Sequence, residues 1–371
     1  MAEETPLERV MNGTSWDEFC DGLKAAGQTI LAEGQPDNEL DRAEGFRYLS
    51  RLTRAALESF IEYADPLAPA LHRPVHETAK IGADNPDNYY QRAPLRGDLE
   101  YRIRGKRNSV DYIGFGTQSD GVASSGNSEQ GGHLDANEME SAEDGSFEIH
   151  LSCEEKPGNW LRMTPNTSSL IVRQTFQDRE TEVPAELVIE RVGGDGTPHP
   201  LSAEALDAGL KQSAGLVASC AALFSNWAAG FHKHTNELPK FDDSVSMGAG
   251  GDPNICYYHS YWALGPEEAL VIEATPPECH SWNFQLDNHW MESLDYRFHK
   301  IHVNKHTAHY ESDGSVRVVV SHTDPGIPNW VETAGHRMGT MCWRWIGAQE
   351  HPLLNTRVMK LSELQSSDSI A

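Results

Sequence analysis

Residues 144–173 read DGSFEIHLSCEEKPGNWLRMTPNTSSLIVR, and residues 313–344 read DGSVRVVVSHTDPGIPNWVETAGHRMGTMCWR. Each stretch opens on Asp-Gly-Ser, runs through alternating apolar residues to a Pro-Gly pair and Asn-Trp, and ends at an arginine. Sixteen positions separate Asp144 from Trp160, and 17 separate Asp313 from Trp330. The tryptophans lie 13 and 14 positions before Arg173 and Arg344. An ordered series at near-equal spacing reads as an internal duplication of a β-module. Phe147, Ile149 and Leu151 alternate with Glu148, His150 and Ser152, and Val316, Val318 and Val320 alternate against Arg317 and Ser321. Period two puts one face of a strand inward. Asp-Gly supplies the positive φ of a tight turn, and Pro-Gly at 157–158 and 325–326 forces another reversal, so each copy is expected to fold as a hairpin. Trp160 and Trp330 are expected to plug the ends of two sandwiches, each indole N–H finding an acceptor.

Outward from these copies, residues 15–33 read as a helix, with Ser15 and Glu18 at capping-box spacing. A second helix is expected over about 38–64, ending before Pro66. Residues 66–98, with GADNPDNYYQRAPLRGD, read as a turn-rich loop, either a binding loop offering Arg92 and two tyrosines or a plain linker. Strands follow from Leu99, and the Gly- and Ser-rich 118–132 reads as a flexible loop. Residues 202–234 form the longest expected helix, with Leu206, Leu210, Val217, Cys220, Phe224, Trp227 and Phe231 on one apolar stripe, a packing helix rather than a cofactor box. His232 and His234 at its end suit a helix C-terminus better than a metal. The expected organisation is a helical segment and loop (1–98), a first β-module (99–200), a bridging helix and connector (201–256), a second β-module (257–361) and a polar, disordered tail (362–371). The fold class is α+β: a helical N-terminal segment, then two β-sandwich modules joined by a long amphipathic helix.

Composition bounds the partners. The 371 residues carry 56 acidic and 30 basic side chains, a net charge of −26, which argues against nucleic acid and against anionic membrane surfaces. MAEETPLERV shows no apolar signal segment, and no run approaches the roughly 18 apolar residues of a membrane span. The six cysteines are scattered with no Cys-x-x-Cys pair, so a disulfide framework is disfavoured; the expectation is a cytoplasmic protein with reduced thiols. Gly-x-Ser-x-Gly, a P-loop and a GxGxxG turn are all missing, so no nucleotide cofactor is marked.

Nine of the 17 histidines lie between 257 and 346, which keeps a divalent metal open. His302 and His306 have helical zinc spacing on what reads as strand and loop (296–304), without the glutamate of the HExxH pattern. Comparing the copies, Ser321-His322-Thr323-Asp324 replaces Ser152-Cys153-Glu154, and Gly335-His336-Arg337 replaces Thr164 to Asn166. His322 with a carboxylate two positions on suits a general base and its orienting acid, or two metal ligands; a strand end hydrogen-bonded to its own turn is the plainer alternative.

The run from Trp282 to Trp345, with Asp313, Gly314, His322, Pro325, Gly326, Asn329 and Trp330, resembles the domain-of-unknown-function family 1214. That resemblance implies β-rich, jelly-roll-like sheets. Members often carry an upstream companion domain of the family 1254 type; the N-terminal part here departs from it, leaving at most a divergent companion. The family implies no reaction.

Three functional expectations result. The first is an enzyme using acid–base chemistry (hydrolase, lyase or isomerase) on a small, largely apolar organic substrate in a cleft of the second module. His322 would be acid or base, Asp324 its orienter and His336 a further catalytic contact. Trp282, Gln285, Trp290, Tyr296, Asn304, Asn329 and Trp330 would bind substrate, apolar walls with few polar groups being usual for ligand sites. The second is a non-catalytic small-molecule binder or a homo-oligomeric assembly protein. The third is a metal-dependent enzyme on the clustered histidines.

Overall fold

Thr5 and Glu8 form a reciprocal capping box that starts helix α1 (Pro6–Asn12), and Gly13 at φ 90° ends it and leads into α2 (Thr14–Leu31). In this computed structural model, which describes residues 4–119 and 130–368, Ser15 does not cap α2; its hydroxyl instead donates to Asp207 of a later helix at 2.5 Å. Asn38 caps α3 (Glu39–Leu57) by accepting from the Asp41 amide, and one π-turn at Glu58–Glu62 carries the chain on. The long helix α4 (Ala203–Phe231) buries Leu210, Val217, Cys220, Phe224 and Phe231 of its expected stripe. With its last turn it is long and apolar enough by composition to cross a bilayer, but the stripe packs on α2 and α3 in one core with Ile30, Tyr48 and Leu52.

The first module contains β1 (Asn88–Pro94), β2 (Tyr101–Lys106), β3 (Tyr112–Ser119), β4 (Gln130–Asp135), β5 (Ser146–Ser152), β6 (Trp160–Arg162), β7 (Thr167–Thr175) and β8 (Glu186–Arg191). They make two sheets, in the orders β1-β7-β3-β4 and β6-β5-β2-β8. After the short α5 (Asp243–Gly248), the second module has β9 (Ile255–Ala263), β10 (Glu268–Ala274), β11 (Ser281–Leu286), β12 (His302–Asn304), β13 (Val316–Ser321), β14 (Trp330–Glu332), β15 (Met338–Ile346) and β16 (Asn355–Lys360). Its sheets run β9-β15-β11-β12 and β14-β13-β10-β16. Adding eight to each strand number of the first module gives the second. The duplication is therefore of a whole eight-stranded sandwich, each with its own core between its two sheets.

Side-chain clamps repeat with the strands. Asp144 and Asp313 each accept from the backbone and hydroxyl of the serine two positions on. Asn159 Nδ2 donates to the Glu140 and Glu148 carbonyls, and Asn329 Nδ2 to those of His309 and Arg317. The Trp160 and Trp330 indoles donate to the Ser152 and Ser321 carbonyls at 3.3 and 3.2 Å. Gly145, Gly314, Gly158 and Gly326 all take the positive φ that the turns require.

The hairpin expectation is corrected: β5 pairs with β6, and β13 with β14, in parallel, and the antiparallel partners of β5 and β13 are β2 and β10. The segment expected as a loop at 66–98 contains β1, paired along its length with β7, and Ala83 to Asp87 before it are buried. The strand expected over 296–304 shortens to β12. Residues 120–129 of the expected flexible loop lie outside the described residues, while 118–119 and 130–132 belong to β3 and β4. Of the tail expected to be disordered (362–371), the part up to Asp368 belongs to α6 (Leu361–Asp368), and 369–371 lie outside the described residues. Leu364, 1% exposed, covers the outer face of the second module beside Ala269, Val271 and Val319.

Candidate functional site

Alternation along β15 sends Met341, Trp343 and Trp345 into the second sandwich core, leaving Cys342 and Arg344 on the opposite face. Likewise β7 buries Leu170 and Val172 in the first core and turns Ile171 and Arg173 outward. These two outer faces, with α4 and the end of α3, enclose a cavity of about 270 Å³, near the low end of ligand-site volumes. Phe224, Trp227, Ile81 and Ile171 give it apolar walls. Gly82, at φ 63°, lets the loop before β1 pass the Phe224 ring, which an added Cβ would meet at 2.5 Å.

Arg173 and Arg344 both line this cavity. They occupy the same place in the duplicated strands: Arg173 lies opposite Tyr90, and Arg344 opposite Tyr257, in register. Their compensation differs. Arg173 donates to the Gly250 carbonyl at 2.6 Å and has Asp252 at 3.9 Å. Arg344, 3% exposed, donates to Asn283, Gln285 and the Ala83 carbonyl, and no carboxylate among the described residues is recorded within 4.0 Å of it. Asp287 is close enough to feel it, but burial pushes that carboxyl up to about 8.

Two further cavity-lining groups have unused polar atoms. Asn85 is 3% exposed with no partner for Nδ2, and His259 is 7% exposed with none for Nδ1. The His259 ring stacks between Phe231 and Tyr257, at 5.6 and 5.8 Å, with Phe241 edge-on at 5.2 Å. Burial first, and then the Arg344 charge, lower its pKa to about 3, so the imidazole is neutral.

None of His322, Asp324 and His336, nor of the residues expected to bind substrate in the second module, lines this cavity, whereas Tyr90 and Arg92 of the segment read as a possible binding loop do. His322 and Asp324 do not form a dyad. The His322 ring lies 2.8 Å from Thr333 Oγ1 and 3.2 Å from the Leu264 carbonyl, which fixes Nε2 as the donor, and exposed Asp324 accepts from the Gly326 amide. Trp282 stacks on Trp343 at 4.9 Å inside the second core, and Trp290 donates to the Asp41 carbonyl at 2.8 Å. Tyr296 lies under the Lys80 ammonium. Asn304 donates to Asp87 and the Gln177 carbonyl, and Asn329 and Trp330 hold the repeated turn. Gln285 alone touches the cavity wall indirectly, by accepting from Arg344 at 2.5 Å. His302 and His306 separate, to Asp87 and Asp178. His336 is buried at 2.7 Å from Glu44, with Asp41 beside it.

The fold and cavity define a duplicated, helix-capped β-sandwich protein with an arginine-bearing chamber at the junction of its halves. The chain belongs to the family described as "Protein of unknown function (DUF1214)", whose profile matches it at residues 90–175 and again at 269–350. The upstream match is thus a second copy of the same family, as the internal duplication read from sequence implies, rather than the divergent companion domain that was left open. An uncharacterized protein from Burkholderia cenocepacia is 52% identical over 96% of this chain and 99% of its own, with a TM-score of 0.94. A protein from Vibrio parahaemolyticus shares the fold at 12% identity and a TM-score of 0.52, over 85% of this chain and 98% of its own. No curated protein matches the chain.

Proposed function

We propose that the cavity binds a small organic anion, an apolar or aromatic body carrying one carboxylate. The observation that carries this reading is Arg344: a buried guanidinium, always charged, in the wall of a cavity also lined by Asp84, Arg92 and Arg173, with no carboxylate among the described residues within 4.0 Å of it. A buried charge left unpaired costs several kcal/mol, about the amount a complementary ligand charge restores. Phe224 and Trp227 offer rings to the body.

The unpaired Nδ1 of His259 supports a second reading, acid–base turnover of the bound molecule. A base with a pKa of about 3 is weak at neutral pH, so binding is the better-supported function. His322 does not line this cavity.

Benzoate and phenylacetate, each beside its neutral amide, test the reading by thermal shift. The acids should raise Tm and the amides should not, and Arg344→Gln should abolish the difference. Equal shifts from acid and amide, or none from either, would refute an anion site.

A further inference from the structure

Asp41 and Glu44 sit three apart in the first turns of α3, so their side chains share a face. Opposite them is His336, in the short turn between β14 and β15. All three are buried, at 4, 8 and 5% exposure. One ligand-type atom from each lies within 4.8 Å of the others.

Hydrogen bonding decides what belongs among them. His336 Nδ1 faces the Thr333 carbonyl at 3.3 Å, and a carbonyl only accepts, so Nδ1 carries hydrogen. Nε2 then faces Glu44 Oε2 at 2.7 Å, another acceptor, and two lone pairs do not meet at that distance. Either a second proton or a cation lies between them. A proton on Nε2 serves Glu44 but leaves Asp41 Oδ1, which is buried without any partner. One cation answers all three atoms at once.

The surroundings are those of a metal centre. A ligating histidine commonly gives its other N–H to a backbone carbonyl, and its carboxylate neighbours are themselves hydrogen-bonded. Here Asn288 Nδ2 donates to Glu44 Oε2 at 2.9 Å and also to Glu292, Asn38 donates to Asp41 Oδ2, and Arg47 holds Glu44 Oε1. A cation at about 2.1 Å from each atom requires the 2.7 Å histidine–glutamate pair to open to about 3.0–3.4 Å.

We propose that Asp41, Glu44 and His336 bind one divalent transition cation, zinc or manganese, which fastens α3 to the second β-module. One imidazole and two carboxylates suit these ions better than copper(I), which prefers sulfur. The site is separate from the anion cavity, whose lining includes none of the three residues.

The test is titration of EDTA-stripped protein with ZnCl2 and with MnCl2 by calorimetry, alongside Asp41→Asn. The proposal expects one equivalent bound by the wild type, a rise in Tm on binding, and affinity at least tenfold weaker in Asp41→Asn. No uptake at millimolar metal, or undiminished affinity in a folded Asp41→Asn, would overturn it and leave a histidine–glutamate ion pair. Should that variant not fold, anomalous scattering at the zinc edge from wild-type crystals grown with ZnCl2 decides. A peak between the three side chains supports the site; peaks only elsewhere, or none, refute it.

Discussion

His259 should make the protein acid-sensitive in a way that one substitution isolates. Its ring is enclosed by Phe231, Tyr257 and Phe241, and Arg344 is the nearby charge. The folded state therefore resists protonation until about pH 3, while the unfolded chain accepts a proton near 6.5. Above pH 6.5 the ring is neutral in both states and contributes nothing. As pH falls from 6.5 to about 3, the unfolded state takes the proton first and stability drops; below 3 the loss is complete. At 1.36 kcal/mol per unit, the loss attributable to His259 is about 2 kcal/mol by pH 5 and about 5 kcal/mol in full. Urea unfolding of wild type and His259→Phe at pH 7 and pH 5 measures it. Phenylalanine keeps a flat ring in the cage, and any overpacking strain it brings is independent of pH. Wild type should lose about 2 kcal/mol more than the variant between the two pH values. Equal losses would refute the buried, neutral imidazole. Saturating benzoate, if it seats by Arg344, should shrink the difference, because a carboxylate beside the ring favours its protonated form.

Three other outcomes follow from the geometry. Asn159→Ala and Asn329→Ala should each lower unfolding free energy by about 1–3 kcal/mol through orphaned carbonyls, and the double variant should lose the sum in denaturant titration, since the residues occupy separate modules. Asp324→Ala should leave benzoate affinity unchanged by calorimetry, because the side chain only closes an exposed turn; a lost affinity would return the site to His322. Gly82→Ala should destabilise by more than about 1 kcal/mol, from its positive φ and the Phe224 contact, read as a lowered urea midpoint.

The duplication was legible because its signals are local. Asp-Gly-Ser turns, period-two valines and the Asn-Trp clamp depend on neighbours within a few residues, and each reappears in the structure. Strand direction was not legible: β5 meets β6 in parallel only because β2, some forty residues upstream in the register, occupies its other edge. The same distance problem hides the site from the sequence. Histidine density pointed to His322, yet its ring is occupied by Thr333 and Leu264. Trp282 and Trp290 had the composition of a ligand wall, but both are core residues, and nothing in their own sequence context separates the two fates. His336 was singled out by the copy comparison, and its partners Asp41 and Glu44 lie almost 300 positions away on a helix that showed no charge pattern of note.

The arginines closing the two copies were in view from the first comparison, and alternation alone places Arg344 opposite the Trp343 and Trp345 face. What alternation omits is that the outer face is covered, with α4 across the cavity and the loop before β1 laying the Ala83 carbonyl on Arg344, which turns a solvated arginine into a buried one. Duplication then explains the asymmetry. Two equivalent strands bring two arginines to one chamber, where paired cations repel and each needs an anion. The first copy supplies one from the connector, Asp252, which is 1% exposed and also within 3.5 Å of His133. The second copy has amide oxygens and a carbonyl around Arg344, which orient the guanidinium without neutralising it. The ligand's carboxylate therefore belongs at Arg344, and exchanging the roles is the sharpest probe: Asp252→Asn should create a second unneutralised arginine and tighten benzoate binding, whereas Arg173→Gln should change it little. If Arg173→Gln abolished binding and Arg344→Gln did not, the anion would sit on the first module's side, and the charge argument would be wrong.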